Sequence, residues 1–360
     1  MFIGYAGAAR QSGNDAAHAR AAVAWLLEAG RRAGGGGFSH SLHLAHGWLP
    51  GYPETTGYII PSMAIAGQRY GIEGTEAAVA GARDWLARIQ LDDGGFADLD
   101  GVPRVFDTGQ ILIGANFLIR RGDSIATSVA GRAARWLIGR QASDGSFVVH
   151  AYNDRPHAYY SRVGAALLDV AQQLDMPEAN TAGMRNLEWT LAQQDRGGWF
   201  ANMSFAEHPP YSHTIVYTLE GLLAGYRFCG DSRLLDAVVA CAVPLRRQIE
   251  SHGGVIRSQY RENFEPVDGE VCVTGLCQWA ALCFRLDRLG VSGFRAEGER
   301  SLTAAKRAQL HSPFPSLNGA LPGSLPLSGR YMRYAFPNWG VKFFLDALLE
   351  AGSGDLPILT

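Results

Sequence analysis

Glycine-rich turns, each running into a large apolar residue, punctuate this 360-residue chain at nearly even intervals. They read GGGGF (34–38), DDGGF (92–96), SDGSF (143–147), DRGGW (195–199) and SHGGV (251–255), and a degenerate sixth, NGALPGS, lies at 318–324. From Phe38 to Phe96 is 58 residues, and the next steps, to Phe147, Trp199 and Val255, are 51, 52 and 56. A recurrence of that length marks stacked supersecondary units, none of which can bury its apolar face alone.

The segments around the turns differ in character. ARDWLARIQ (82–90), AARWLIGRQ (133–141) and NLEWTLAQQ (186–194) precede turns, and each puts Trp and Leu on one helical face and Arg, Gln or Glu on the other. After each turn and a polar loop comes a nearly uncharged segment: GYIIPSMAIAG, GQILIGANFLI, RVGAALLDVAQ, TIVYTLEGLLAGY, TGLCQWAALCF and NWGVKFFLDALL. Helices enclosed by other helices have that composition. A half-polar helix followed by an apolar one reads as an outer and inner pair. Six such pairs predict an all-α fold, an (α/α)6 toroid of six hairpins. It spans 1–360 as a single domain, with an irregular N-terminus (about 1–15) and a C-terminal tail (about 352–360). No β-strand alternation is found.

With 47% hydrophobic and 18% charged residues, the chain has the composition of a packed globular protein. Its net charge of −2 gives no reason to expect nucleic acid or an anionic membrane as partner. No run of about 18 uncharged apolar residues is present to span a bilayer. The five cysteines fall within 229–283 without a CxxC pair, which predicts a reducing compartment. The opening MFIGYAGAARQSGNDAAHAR lacks a basic start and a long apolar core, so a cytoplasmic location is expected.

The run W-L-x-x-x-Q-x-x-D-G-G/S-F/W resembles the Gln-Trp type repeat of the prenyltransferase and squalene-cyclase superfamily of α/α toroids, over roughly residues 20–350. The resemblance implies the fold. It does not imply a reaction, because such toroids host terpene cyclases, prenyl transferases, lyases, epimerases and hydrolases.

In such a ring the inner-helix N-termini open on one mouth, where free N–H groups and a positive partial charge favour anions. The residues entering the inner helices are therefore the candidate site. They are Tyr52, Glu54, Thr55 and Thr56; Asp107 and Thr108; Tyr159, Tyr160, Ser161 and Arg162; His213 and Thr214; Asp268, Glu270, Cys272 and Thr274; and Asn338 and Trp339. Asp107, Ser161 and Thr274 are also ideal N-cap types. Arg162, costly to bury alone, is expected to pair with Asp107 or Glu54, or to hold a substrate carboxylate or phosphate. Asp169, Glu220 and Lys342, further along the inner helices, are expected to reach loops or neighbouring helices, with Lys342 the best placed of the three to enter the cavity.

Several chemistries can be set against these residues. A class II terpene cyclase needs a DxDD-type cluster, and Asp98-Leu99-Asp100-Gly101 lacks its final pair. Asp268, Cys272 and His213 have neither the spacing nor the order of the prenyltransferase zinc ligands, so no metal and no cofactor is expected. The strings GYPETTGYIIP, VFDTGQIL, YYSRVGAALL, SHTIVYTLEGLL, VCVTGLCQWA and PNWGVKFFLDAL together resemble a bacterial family found with exopolysaccharide-biosynthesis genes. GYPETT and AYYSRV are also similar to segments of glucuronyl C5-epimerases, which implies roles for Tyr52 and Tyr159 and an acidic, uronate-containing oligosaccharide or polysaccharide as substrate.

That chemistry is coherent. Removing the proton α to a uronate carboxylate needs a base and a cation to neutralise the enolate. Arg162 would clamp the carboxylate and lower the pKa of Tyr159. Glu54 or His213 would return a proton (epimerase) or protonate a leaving oxygen (lyase). Trp48 and Trp339 would stack sugar rings, with Trp199 as another candidate, while Asn338 and Lys342 would add substrate contacts. A glycoside hydrolase using Glu54 and Asp107 stays open, as do a terpene-cyclase-like enzyme and a noncatalytic glycan-binding protein.

Overall fold

The computed structural model describes residues 14–352 and Leu356. The expected irregular terminus and tail lie almost wholly outside the described residues. Twelve α-helices follow one another among them. The first six are α1 (Asp15–Arg32), α2 (Pro53–Tyr70), α3 (Thr75–Ile89), α4 (Val105–Ile119), α5 (Ser124–Ile138) and α6 (Ser161–Leu174). The rest are α7 (Pro177–Leu191), α8 (Ser212–Cys229), α9 (Ser232–Ser251), α10 (Val273–Arg288), α11 (Phe294–Ala308) and α12 (Asn338–Gly352).

Burial separates them as the sequence pattern predicts. In α4 every residue from Val105 to Leu118 is buried. In α3 only Thr75, Val79, Ala82 and Leu86 are, a single stripe at helical spacing. Even-numbered helices form the inner ring: α2 packs on α4, α4 on α6, α6 on α8, α8 on α10, α10 on α12, and α12 on α2. The fold is thus an (α/α)6 toroid. Inner helices can touch backbone to backbone; a Cβ built on Gly114 of α4 would sit 2.1 Å from the Gly57 carbonyl oxygen of α2.

The turns are the fasteners of the outer ring. Gln194 donates from Nε2 to Gly198 O (3.0 Å) in its own turn and to Ala237 O (2.8 Å) of the next outer helix, α9. Gln90 bridges Gly94 to Val129, and Gln141 bridges Gly145 to Ala182, in the same way. The degenerate last turn does likewise: Gln309 donates to Gly319 O and to His18 O of α1, so α11 is stitched to the first helix. Lys306 of α11 also pairs with Asp15. Gly198 must be glycine, since its φ is +89° and a Cβ would lie 2.1 Å from Ala240 O.

Five short strands among the described residues were not foreseen: β1 (Ser41–His43), β2 (Gly47–Trp48), β3 (Val271–Cys272), β4 (Ser324–Leu325) and β5 (Ala335–Pro337). Segments of two or three residues are too short to display alternation. They pair antiparallel in the orders β2-β1-β5 and β3-β4, with Leu42 opposite Phe336. The larger sheet joins the loop before α2 to the loop before α12. No helix among the described residues is long and apolar enough to cross a membrane.

Candidate functional site

Tyr52 is the N-cap residue of α2, and Pro53 at the next position fixes the helix start. Glu54 therefore falls in the first turn, where the helix dipole favours an anion. Asp107 occupies the first turn of α4, whose N-cap residue is Arg104, so the capping role open to Asp107 is not the one it takes. Between them stands Tyr152, on a 3-10 turn ahead of α6. Tyr52 Oη lies 2.7 Å from Glu54 Oε2 and 3.0 Å from Tyr152 Oη, and Tyr152 Oη lies 2.8 Å from Asp107 Oδ1. Two carboxyls from adjacent inner helices are thus joined through two phenols.

Tyr152 is held from several sides. Its backbone N–H donates to Tyr160 Oη (3.0 Å), and His157 Nε2 reaches its carbonyl oxygen (2.8 Å). The Arg104 guanidinium lies 4.8 Å from its ring centroid and donates to Ala151 O. Sequence reasoning missed this residue; the available signal was a tyrosine in the polar loop just before an inner helix.

Burial dominates the electrostatics. Glu54 is 8% exposed; burial, then repulsion from Asp107, pushes its pKa up to about 8, against the opposing pull of the Tyr52 bond and of Arg162. Asp107 is fully buried, and burial lifts its pKa to about 7 although the Tyr152 bond acts downward. Asp107 Oδ2 and the fully buried Tyr159 hydroxyl have no hydrogen-bond partner in the protein. Burial drives the Tyr159 phenol well above its ordinary range, opposite to the lowering expected beside Arg162.

Below this layer Arg162 departs from its expected place. It is fully buried, its Nη1 donates to Glu220 (2.7 Å) and its Nε to Gln110 (2.8 Å), and its guanidinium lies 4.6 Å from the Tyr217 ring centroid. The ion-pair partner is therefore Glu220 of α8, on the neighbouring inner helix, rather than Asp107 or Glu54. Gln278 donates to the same Glu220 oxygen (3.2 Å), and its Oε1 lies 2.6 Å from His213 Nδ1. Burial pushes the pKa of His213 down to about 3, so its imidazole is neutral near pH 7. Lys342 is fully buried, with Nζ 2.6 Å from Asp346 Oδ2 and 4.0 Å from the Phe343 ring centroid. Burial lowers its pKa to about 8.

The remaining candidates divide. Trp339 lies by Tyr52, with ring centroids 6.5 Å apart; His40 packs on it at 4.8 Å, and its Nε1 donates to Tyr331 Oη (2.8 Å). Asn338 ties loop to helix, donating to Ser39 O and Thr55 Oγ1. Trp48 leans on Trp25 of α1 at 5.2 Å, and Trp199 packs edge-on against Phe264. Thr56 and Thr108 accept from the backbone N–H groups of Phe38 and Phe96, fixing turns to inner helices. Ser161 donates to Thr218 O across to α8. Cys272 is the N-cap of α10, with Sγ accepting from Gly275 N, and burial raises its thiol to about 12. Among the described residues no three His, Cys, Asp or Glu side chains are grouped to hold a metal ion.

No protein-family profile matches the chain, and no curated protein matches it. Solved structures do. An unsaturated glucuronyl hydrolase from Bacillus sp. GL1, described as responsible for glycosaminoglycan degradation, aligns with TM-score 0.75 at 14% identity, covering 94% of this chain and 96% of that one. A D-mannose isomerase aligns with TM-score 0.68 at 12% identity over 93% and 96%. The cellobiose 2-epimerase of Spirochaeta thermophila gives 0.66 at 12% over 88% and 90%. At these identities the likeness is one of fold.

Proposed function

We propose that this chain is a carbohydrate-active enzyme that works by general acid–base catalysis at the ring mouth, with Glu54 and Asp107 as the working pair and an acidic, uronate-containing glycan as substrate. The observation that carries the reading is the Glu54–Tyr52–Tyr152–Asp107 chain. Neither carboxyl caps a helix, both are shifted into the neutral range, and Asp107 keeps an oxygen without a protein partner. A carboxylic acid that can give a proton to a sugar oxygen, beside a carboxylate that can take one from water, is the equipment of glycoside hydrolysis. The sugar-processing enzymes of the same fold support the carbohydrate, and the unsaturated glucuronyl hydrolase supports the uronate.

The geometry favours hydrolysis over C5 proton abstraction. That route asks Arg162 to clamp a substrate carboxylate and Tyr159 to act as a base. Arg162 is enclosed and bonded to Glu220, and the Tyr159 phenol is raised rather than lowered. The test is incubation with unsaturated uronyl disaccharides, following loss of the ultraviolet absorbance of the ring double bond. Glu54→Gln and Asp107→Asn should each slow turnover about 100-fold or more. Turnover unchanged in both variants, or none on any uronyl glycan, would sink the reading. On saturated polyuronates in deuterated water, deuterium entering at C5 with the linkage intact would move it to epimerisation.

A further inference from the structure

The Glu54–Tyr52–Tyr152–Asp107 chain has three hydrogen bonds to fill and only two phenol protons to fill them. The three contacts, 2.7, 3.0 and 2.8 Å, are all of hydrogen-bond length. Each bond needs one proton between its two oxygens. Neutral phenols supply one each, and ionised carboxylates supply none. If Tyr52 donates to Glu54 and Tyr152 donates to Asp107, the two phenol oxygens face each other with nothing between them. A third proton has to come from a carboxyl group.

We propose that Glu54 and Asp107 hold one ionisable proton between them, relayed through the hydroxyls of Tyr52 and Tyr152, so that one carboxyl is an acid while the other is a base. The roles exchange by coordinated hops. The Glu54 proton passes to the Tyr52 oxygen, the proton of Tyr52 passes to the Tyr152 oxygen, and that of Tyr152 passes to Asp107 Oδ1. Both phenols end neutral and the total charge is unchanged. The consequence for the reaction is a built-in reset: a turnover that consumes the proton of one carboxyl and loads the other is followed by return through the protein.

The surroundings fit a single shared proton. Two buried carboxyls joined through two phenols, with Asp107 repelling Glu54, resist joint ionisation. Glu54 faces Arg162 from α6 together with Tyr58, Tyr159, Tyr160 and Tyr217, but Arg162 already holds Glu220. Asp107 faces Arg104, Asp98, Tyr159 and Tyr160, and Arg104 is bonded to Asp98 at 2.7 Å. Each nearby cation thus already serves a carboxylate. Tyr52 and Tyr152 are positioning residues that act through the carboxyls.

The inference rests on the reading of Glu54 and Asp107 as the working pair, but its test needs no substrate. Carbon-detected NMR of the side-chain carboxyls, assigned with Glu54→Gln and Asp107→Asn, would follow both groups between about pH 5 and about pH 10. A shared proton makes each carbon respond in both of two separated steps. Tyr152→Phe removes the relay while leaving both carboxyls, and should narrow the gap between the steps about tenfold in proton affinity, the scale of one hydrogen bond to a charged group. Tyr52→Phe should do the same from the other side. Independent titration in the parent protein, or an unchanged gap in both folded phenylalanine variants, would overturn the relay. Coupled titration with no turnover on any glycan would retire the catalytic reading and leave the relay; turnover with independent titration would do the reverse.

Discussion

Glu54 is held at some cost to the fold. Its pKa rises from 4.5 to about 8, so between those values the folded state binds more protons than the unfolded chain. Stability from this group is therefore full below about pH 4.5 and is lost as pH climbs through about 8. Glu54→Gln removes the penalty. It should stabilise the protein by about 1–3 kcal/mol near pH 9 and change little near pH 5, read as melting temperature at the two values. Arg162 behaves differently, because it and Glu220 are both buried. Arg162→Met should destabilise by about 3–5 kcal/mol, and adding Glu220→Leu should recover most of the loss. A full loss in the double variant would assign Arg162 a role beyond the pair. Glu54 and Asp107 were legible in the sequence because position at an inner-helix entrance can be counted along the chain. Depth inside the ring cannot, which is why Arg162 was assigned to Glu54, Asp107 or a substrate anion rather than to Glu220. Tyr152 was missed because it arrives on a loop turn, outside the helix-entry register.

At the scale of the element, the repeated turn carries most of the information. Gln90, Gln141 and Gln194, ahead of three of the turns, each donate from the side-chain amide to carbonyls of two different segments. Gln194→Ala leaves Gly198 O and Ala237 O without that donor and should cost about 1–3 kcal/mol, measured by chemical unfolding. Gly198→Ala should cost more, about 3 kcal/mol or above, because strained backbone and a collision with Ala240 O add together. An equal effect of the two substitutions would mean that the turn relaxes freely. The turns and helix pairs could be read from sequence because glycine placement and apolar periodicity are local. The strands could not: Leu42 meets Phe336 only after the ring has closed.

For the whole molecule, closure distinguishes this ring from an open stack of repeats, in which each unit contacts only its neighbours and the ends are free to fray. Here α12 packs on α2, Gln309 reaches α1, and β1 pairs with β5. The single-domain reading becomes a proposal with a clear test: heating should give one calorimetric transition, and two would divide the chain. Gln309→Ala should loosen one joint alone, with faster amide hydrogen exchange in α1 and α11 than in α5 and α7. The β1–β5 pairing carries one more implication. It couples the opening and closing repeats through backbone atoms, so where translation happens to start is of little importance to the finished circle. A circularly permuted gene, with new ends cut at the exposed Gly122 bend between α4 and α5 and a short linker tying the neighbourhood of Asp15 to that of Gly352, should encode the same circle of helices.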